Sequence, residues 1–93
     1  MPYFISEFKK KNKDTFFAKF KISETDATEH IWLMMLRIDN DRSYGIISNE
    51  PAGLKHIIYG DTLTINIWHA EDIMIIRNDS IYFGGFLQKE MEK

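Results

Sequence analysis

Four residues, Glu29-His30-Ile31-Trp32, form the most chemical-looking segment of the chain. Imidazole titrates near neutral pH, so His30 could serve as a general base or a ligand. In a strand, alternate side chains point to opposite faces, so His30 shares a face with Trp32 while Glu29 points away. Glu29 therefore cannot readily orient the His30 ring. The structural alternative is a His30 that bonds a backbone carbonyl beside Trp32 at the start of a core strand, and this is the role expected here. His30, His56 and His69, with Glu71 and Asp72, are the nearest approach to a metal-ligand set. No pair has the short helical spacing of zinc-hydrolase motifs, and His69-Ala70-Glu71-Asp72 resembles a hydrophilic connection, so no metal and no cofactor is expected. Asn49 and Asp61 lie in Asn49-Glu50-Pro51 and Gly60-Asp61, where turn chemistry accounts for them first. Gly84-Gly85 lacks the Lys-Ser/Thr and the helix of a phosphate loop and suits a bulge or bend instead. No Gly-x-Ser-x-Gly elbow is present. With no cysteine, disulfide scaffolds, thiolate zinc sites and cysteine nucleophiles are excluded. The candidate binding or functional residues are Glu29, His30, Trp32, Asn49, Asp61, Trp68 and Asp72, and none is assigned to catalysis.

Short elements must position these groups. Tyr3 to Lys11 places Phe4, Ile5 and Phe8 on one helical stripe, and Asn12 suits a stop. Thr15 to Ile22 alternates Phe16, Ala18, Phe20 and Ile22 with Lys19 and Lys21, the pattern of a half-buried antiparallel strand. Glu29 to Ile38 contains the unbroken apolar run 31–36, which predicts a central strand covered on both faces, with a buried helix as the competing assignment. Asp39 to Ser43 is a turn cluster leading to a strand over Tyr44 to Ser48, together a hairpin. Another turn at 49–53 precedes Leu54 to Tyr59, which has no clear pattern. Thr62 to Trp68, Asp72 to Arg77 and Ile81 to Phe83 complete the strands. The expected architecture is α+β and mainly β: a short N-terminal helix, then a small, strongly bent five- or six-stranded antiparallel sheet or partly open barrel. Strand parity puts Phe16, Phe20, Trp32, Met34, Leu36, Ile65 and Ile75 in its core. One domain over 1–93 is expected, with the helix in 1–13, the β core in 15–86 and a polar tail in 88–93.

Composition narrows the function classes. Of 93 residues, 44% are hydrophobic and 28% charged, which suits a folded chain rather than a disordered one. Fourteen isoleucines with no valine, and nine lysines to three arginines, are the imprint of an AT-rich genome. No apolar run reaches a membrane span of roughly 18–20 residues, and no signal-peptide core with a cleavage site is evident, so a cytoplasmic protein is expected. Residues 1–21 hold six lysines against Glu7 and Asp14, a net +4, while residues 22–93 hold six basic and twelve acidic residues, a net −6. The lysines suit a solvated helix end better than a nucleic-acid grip. Tyr44, Tyr59, Trp68 and Tyr82 neighbour Asp, Glu and Asn, so nucleic acid is not an expected partner.

Taken in order, several segments resemble an uncharacterised bacterial family, domain of unknown function 2314. The matching residues are Phe17 with Lys19, Glu29-His30-Ile31-Trp32, Gly45 through Pro51, Gly60-Asp61, Asp72-Ile73-Met74 and Gly84-Gly85-Phe86. Ile73 stands where the family usually has tryptophan, and Leu87 where threonine is usual. The resemblance implies a small α+β domain and no particular activity. The expected function is a non-catalytic protein-binding module, a monomer or weak dimer, with an immunity protein as one concrete version. The alternative is a small enzyme or ligand-binding domain with His30 in its cleft.

Overall fold

In the computed structural model, which describes residues 2–10 and 13–84, helix α1 (Pro2–Lys9) leads into six strands. These are β1 (Thr15–Ser23), β2 (Thr28–Asp39), β3 (Arg42–Ile47), β4 (Thr62–Asn66), β5 (Asp72–Arg77) and β6 (Ser80–Gly84). All neighbours pair antiparallel in the order β4-β3-β2-β1-β5-β6. The terminal strands β4 and β6 do not meet, so the sheet is open and the barrel alternative does not apply. The strand expected through Trp68 ends at Asn66, and Ile67–His69 forms a 3-10 turn. Lys11, Asn12 and the expected tail 88–93 lie outside the described residues.

Local chemistry explains the elements. Pro2 occupies the first helical position, where its missing N–H costs nothing. Eight residues of helix are marginal alone, so α1 depends on docking. Phe4 is fully buried, and Phe4 and Phe8 meet the Phe16 ring edge-on at 5.5 and 5.2 Å. Asn40 turns the β2–β3 hairpin at φ 52°, and Asn78-Asp79 turn β5 into β6 at φ 53° and 64°, the primed geometry that matches strand twist.

The core lies on one face of the sheet only. Ala18 and Phe20 of β1 oppose Leu33 and Ile31 of β2, Phe16 opposes Ile75 of β5, and Met35, Ile47 and Ile73 are buried with them. Phe4, Leu54 and Ile67 cover them from above. This corrects the sequence expectation in β2. Ile31, Leu33 and Met35 are the buried set, Trp32 and Met34 are half-buried, and Leu36 is 51% exposed. Ile65, expected in the core, packs at its margin. A bulge between Met35 and Arg37 makes Leu36 the extra residue and returns Ile38 to the buried face.

Candidate functional site

Glu29, Asn49 and Asp61 act on the backbone. The Glu29 carboxylate accepts the N–H groups of Ala52 (2.8 Å), Gly53 and Leu54 (3.0 Å). Glu24 does the same for Lys55 and His56, at 2.8 and 2.9 Å. Together they hold the 52–56 loop in place, and through it the buried Leu54. Asn49 Oδ1 accepts the Trp32 N–H at 2.7 Å, and the Ser48 N–H reaches the Trp32 carbonyl at 2.9 Å. Asn49 thus extends the β2–β3 ladder by a side chain. Asp61 serves through its backbone, its carbonyl accepting the Ile47 N–H at 2.9 Å. Trp68, 52% exposed, donates its indole N–H to Asp41 at 3.0 Å, at the β2–β3 hairpin end.

The other sequence-selected residues meet on the sheet face opposite the core, over which no described element lies. One row crosses every strand: Gly84, Met74, Phe17, Met34, Ile46 and Thr62 are successive cross-strand partners. Its four central side chains are apolar and half-buried. The next row holds Asp72, Lys19 and Trp32, and beyond it Lys21 opposes His30. Lys19 Nζ stands 5.2 Å from the Trp32 ring centre. On the other flank Arg37 lies over Tyr44 at 5.6 Å and pairs with Asp39 at 2.5 Å. Asp72 is buried at the strand start, and its Oδ1 accepts the Ile73 N–H.

His30 does find a carboxylate partner, and it is Glu71: Nδ1 and Oε1 are 2.5 Å apart. Sequence parity correctly removes Glu29 from this role. Glu71 comes from the connection before β5, forty-one residues away, which the Glu71 N–H to Lys19 carbonyl bond (2.7 Å) anchors against β1. A carboxylate on Nδ1 fixes the ring and leaves Nε2 outside that bond, an arrangement able to donate or accept a proton from a bound group. Among the described residues no three His, Asp or Glu side chains converge as a metal site, and His56 and His69 do not join His30.

A separate polar cluster ties α1 to the last hairpin. The Tyr3 and Tyr82 hydroxyls are 3.1 Å apart, Arg77 stacks 3.7 Å from the Tyr82 ring centre, and Arg77 binds Asp14 through two nitrogens. Sequence offers no signal for the Tyr3–Tyr82 and Asp14–Arg77 contacts, since they join residues more than sixty apart. The Arg77 guanidinium holds Asp14 below its ordinary carboxylate range, and backbone N–H donors hold Glu24 and Glu29 below theirs. A depressed folded pKa stabilises the fold fully above the unfolded value, roughly 4, and that stabilisation is lost as pH falls through the folded one. Through these carboxylates, stability measured by urea unfolding should decline below about pH 4.5. Glu29→Gln should make that decline shallower, and an identical acid slope would remove Glu29 as a contributor.

Comparison with known proteins places this chain among relatives. The model of a family described as "Uncharacterized protein conserved in bacteria (DUF2314)" matches residues 2–93. The Escherichia coli K12 protein YegJ, named as uncharacterized, is 37% identical over 81 residues, which are 87% of this chain and 53% of YegJ. A Neisseria meningitidis serogroup B protein, named as a candidate ankyrin repeat protein, is 29% identical over 66 residues, 71% of this chain and 26% of its own length. The chain thus spans about half of one curated relative and a quarter of the other. No solved structure matches. No helix among the described residues is long and apolar enough to cross a membrane.

Proposed function

The chain belongs to this DUF2314 family, and we propose that it is a non-catalytic binding module that docks another protein on the open face of its sheet. One observation carries the proposal: the apolar row Met74, Phe17, Met34 and Ile46 crosses four strands on a face that no described element covers. A row of this kind with a charged rim has the anatomy of an interface, in which a few desolvated anchors dominate binding. Trp32, flanked by Lys19, is the natural anchor of that rim, and the His30–Glu71 pair borders it. The share of each relative matched here also suits a module carried within longer chains. In this proposal the free module is cytoplasmic and a monomer or weak dimer.

The test uses a partner captured from the native host. Met34→Glu puts a carboxylate into the middle of the row and should weaken binding by about thirtyfold or more, the scale of a hot-spot loss. The exposed loop variant Lys55→Glu should bind like the parent. Both should keep the parent's strand-rich circular dichroism. Undiminished binding by Met34→Glu would move the interface elsewhere.

A further inference from the structure

We propose that the occupant of the open face is an acidic amphipathic helix of another protein. This rests on the docking proposal above and specifies the partner's chemistry. The apolar row steps across β5, β1, β2 and β3. At about 4.8 Å per strand it spans roughly 14 Å, close to two and a half helical turns. Lys19 lies two residues from Phe17 along β1, and Arg37 three from Met34 along the bulged β2. These cations therefore stand on the order of 7–10 Å to either side of the row. A helix with its side chains is about 10–12 Å across. Laid along the row with its apolar ridge down, it brings both flanks over Lys19 and Arg37.

Charge selects the sign of those flanks. The strand positions of this face carry Lys19, Lys21, Arg37 and Arg42 against Asp39 and the buried Asp72, and Glu71 adds a third carboxylate beside His30 at the edge. The chain as a whole has a net charge of −2, so the open face, with four cations to three carboxylates, is net positive on an acidic molecule, and Lys19 and Arg37 are the cations nearest the row. The Arg37–Asp39 pair is exposed, and such pairs contribute little and exchange readily. Carboxylates on the helix flanks complement this face. A second copy does not, because a two-fold contact lays one basic face against another. Single-stranded nucleic acid needs free aromatic faces for its bases. Here Lys19 and Arg37 already stand over Trp32 and Tyr44, and Met and Ile supply most of the row.

Two helical peptides of about 14 residues, sharing one Leu/Ile stripe and flanked by either Glu or Lys, are titrated into isotope-labelled protein. Amide shifts are followed at about 50 and 300 mM salt. The Glu peptide should perturb Phe17, Met34 and Ile46, bind about tenfold or more tighter than the Lys peptide, and weaken with salt. The double variant Lys19→Glu/Arg37→Glu, with a dispersed spectrum, should reverse the preference. Equal binding of both peptides on this face, or an unaltered preference in the double variant, overturns the acidic assignment and leaves the docking proposal standing. Absence of any footprint on this face defeats both. A dimer in sedimentation equilibrium that Met34→Glu dissociates, or a single-stranded oligonucleotide that outcompetes the Glu peptide, overturns the helix assignment.

Discussion

Phe20→Ala should lower the unfolding free energy by about 3–5 kcal/mol, the cost of emptying a closed aromatic site. Phe20 is fully buried, opposite the fully buried Ile31 on the adjacent strand. A domain of this size has roughly 5–14 kcal/mol in total. With a urea dependence of about 1–1.5 kcal/mol per molar, the midpoint should drop by roughly 2–5 M. Trp32→Ala is the control. Trp32 is larger but half-buried on the open face, so its replacement should cost about 1–2 kcal/mol, well short of a core aromatic. Equal losses for the two would mean that both faces of β2 are covered, and the open-face account would fail with them.

How far the sequence reaches is clearest within β1 and β2. In β1, lysines alternate with apolar residues, so parity alone assigns Phe16, Ala18 and Phe20 to the core, where they lie. In β2, residues 31–36 are all apolar, and both parities satisfy a hydrophobic pattern. The choice between Ile31/Leu33/Met35 and Trp32/Met34/Leu36 is then made by register against β1 and β3, a non-local fact. Gly45 is the one local hint: a Cβ there would lie 2.6 Å from Met35 Cε, so the core face of β3 is cut back to receive Met35. The unbroken run was still informative, since an apolar outer parity is what gives the open face its row. Turn residues were legible for the same reason as β1, because Asn40 and Asn78-Asp79 satisfy a local backbone demand.

The candidate site divides along the same line. Strand parity separates Glu29 from His30 and unites His30 with Trp32, as observed. It cannot find Glu71, Lys19 over Trp32, or Arg37 over Tyr44, because each depends on which strand lies alongside or on the Met35/Arg37 bulge. Asp61 and Trp68 drew notice by type, yet the first shapes a turn and the second caps the far hairpin through Asp41. Exposed polar and aromatic side chains in turns advertise chemistry that the backbone has already used.

Gly84→Ala should destabilise the protein by about 2–6 kcal/mol, more than Gly60→Ala, although the two glycines have nearly the same φ. Gly84 has φ 88° and Gly60 φ 90°, a region that L side chains enter only with strain of roughly 1–3 kcal/mol. Their surroundings differ. Around Gly60 a Cβ would meet nothing within 4 Å. At Gly84 it would lie 1.8 Å from the Ile73 carbonyl oxygen and 2.9 Å from Met74 Cα. Those are backbone atoms of β5, so no rotamer change relieves the clash, and overpacking of this kind adds about 1–3 kcal/mol. Relief requires β6 to move off β5, which pulls on Phe83 and Tyr82 and, through their contacts with Tyr3, on α1. It also disturbs Met74, the cross-strand partner of Gly84 and one end of the apolar row. Hydrogen exchange should therefore show lost protection in β6 and α1 for Gly84→Ala and none beyond the 58–61 turn for Gly60→Ala. If urea unfolding gave the two variants equal stability, β6 would not ride as tightly on β5 as this register requires.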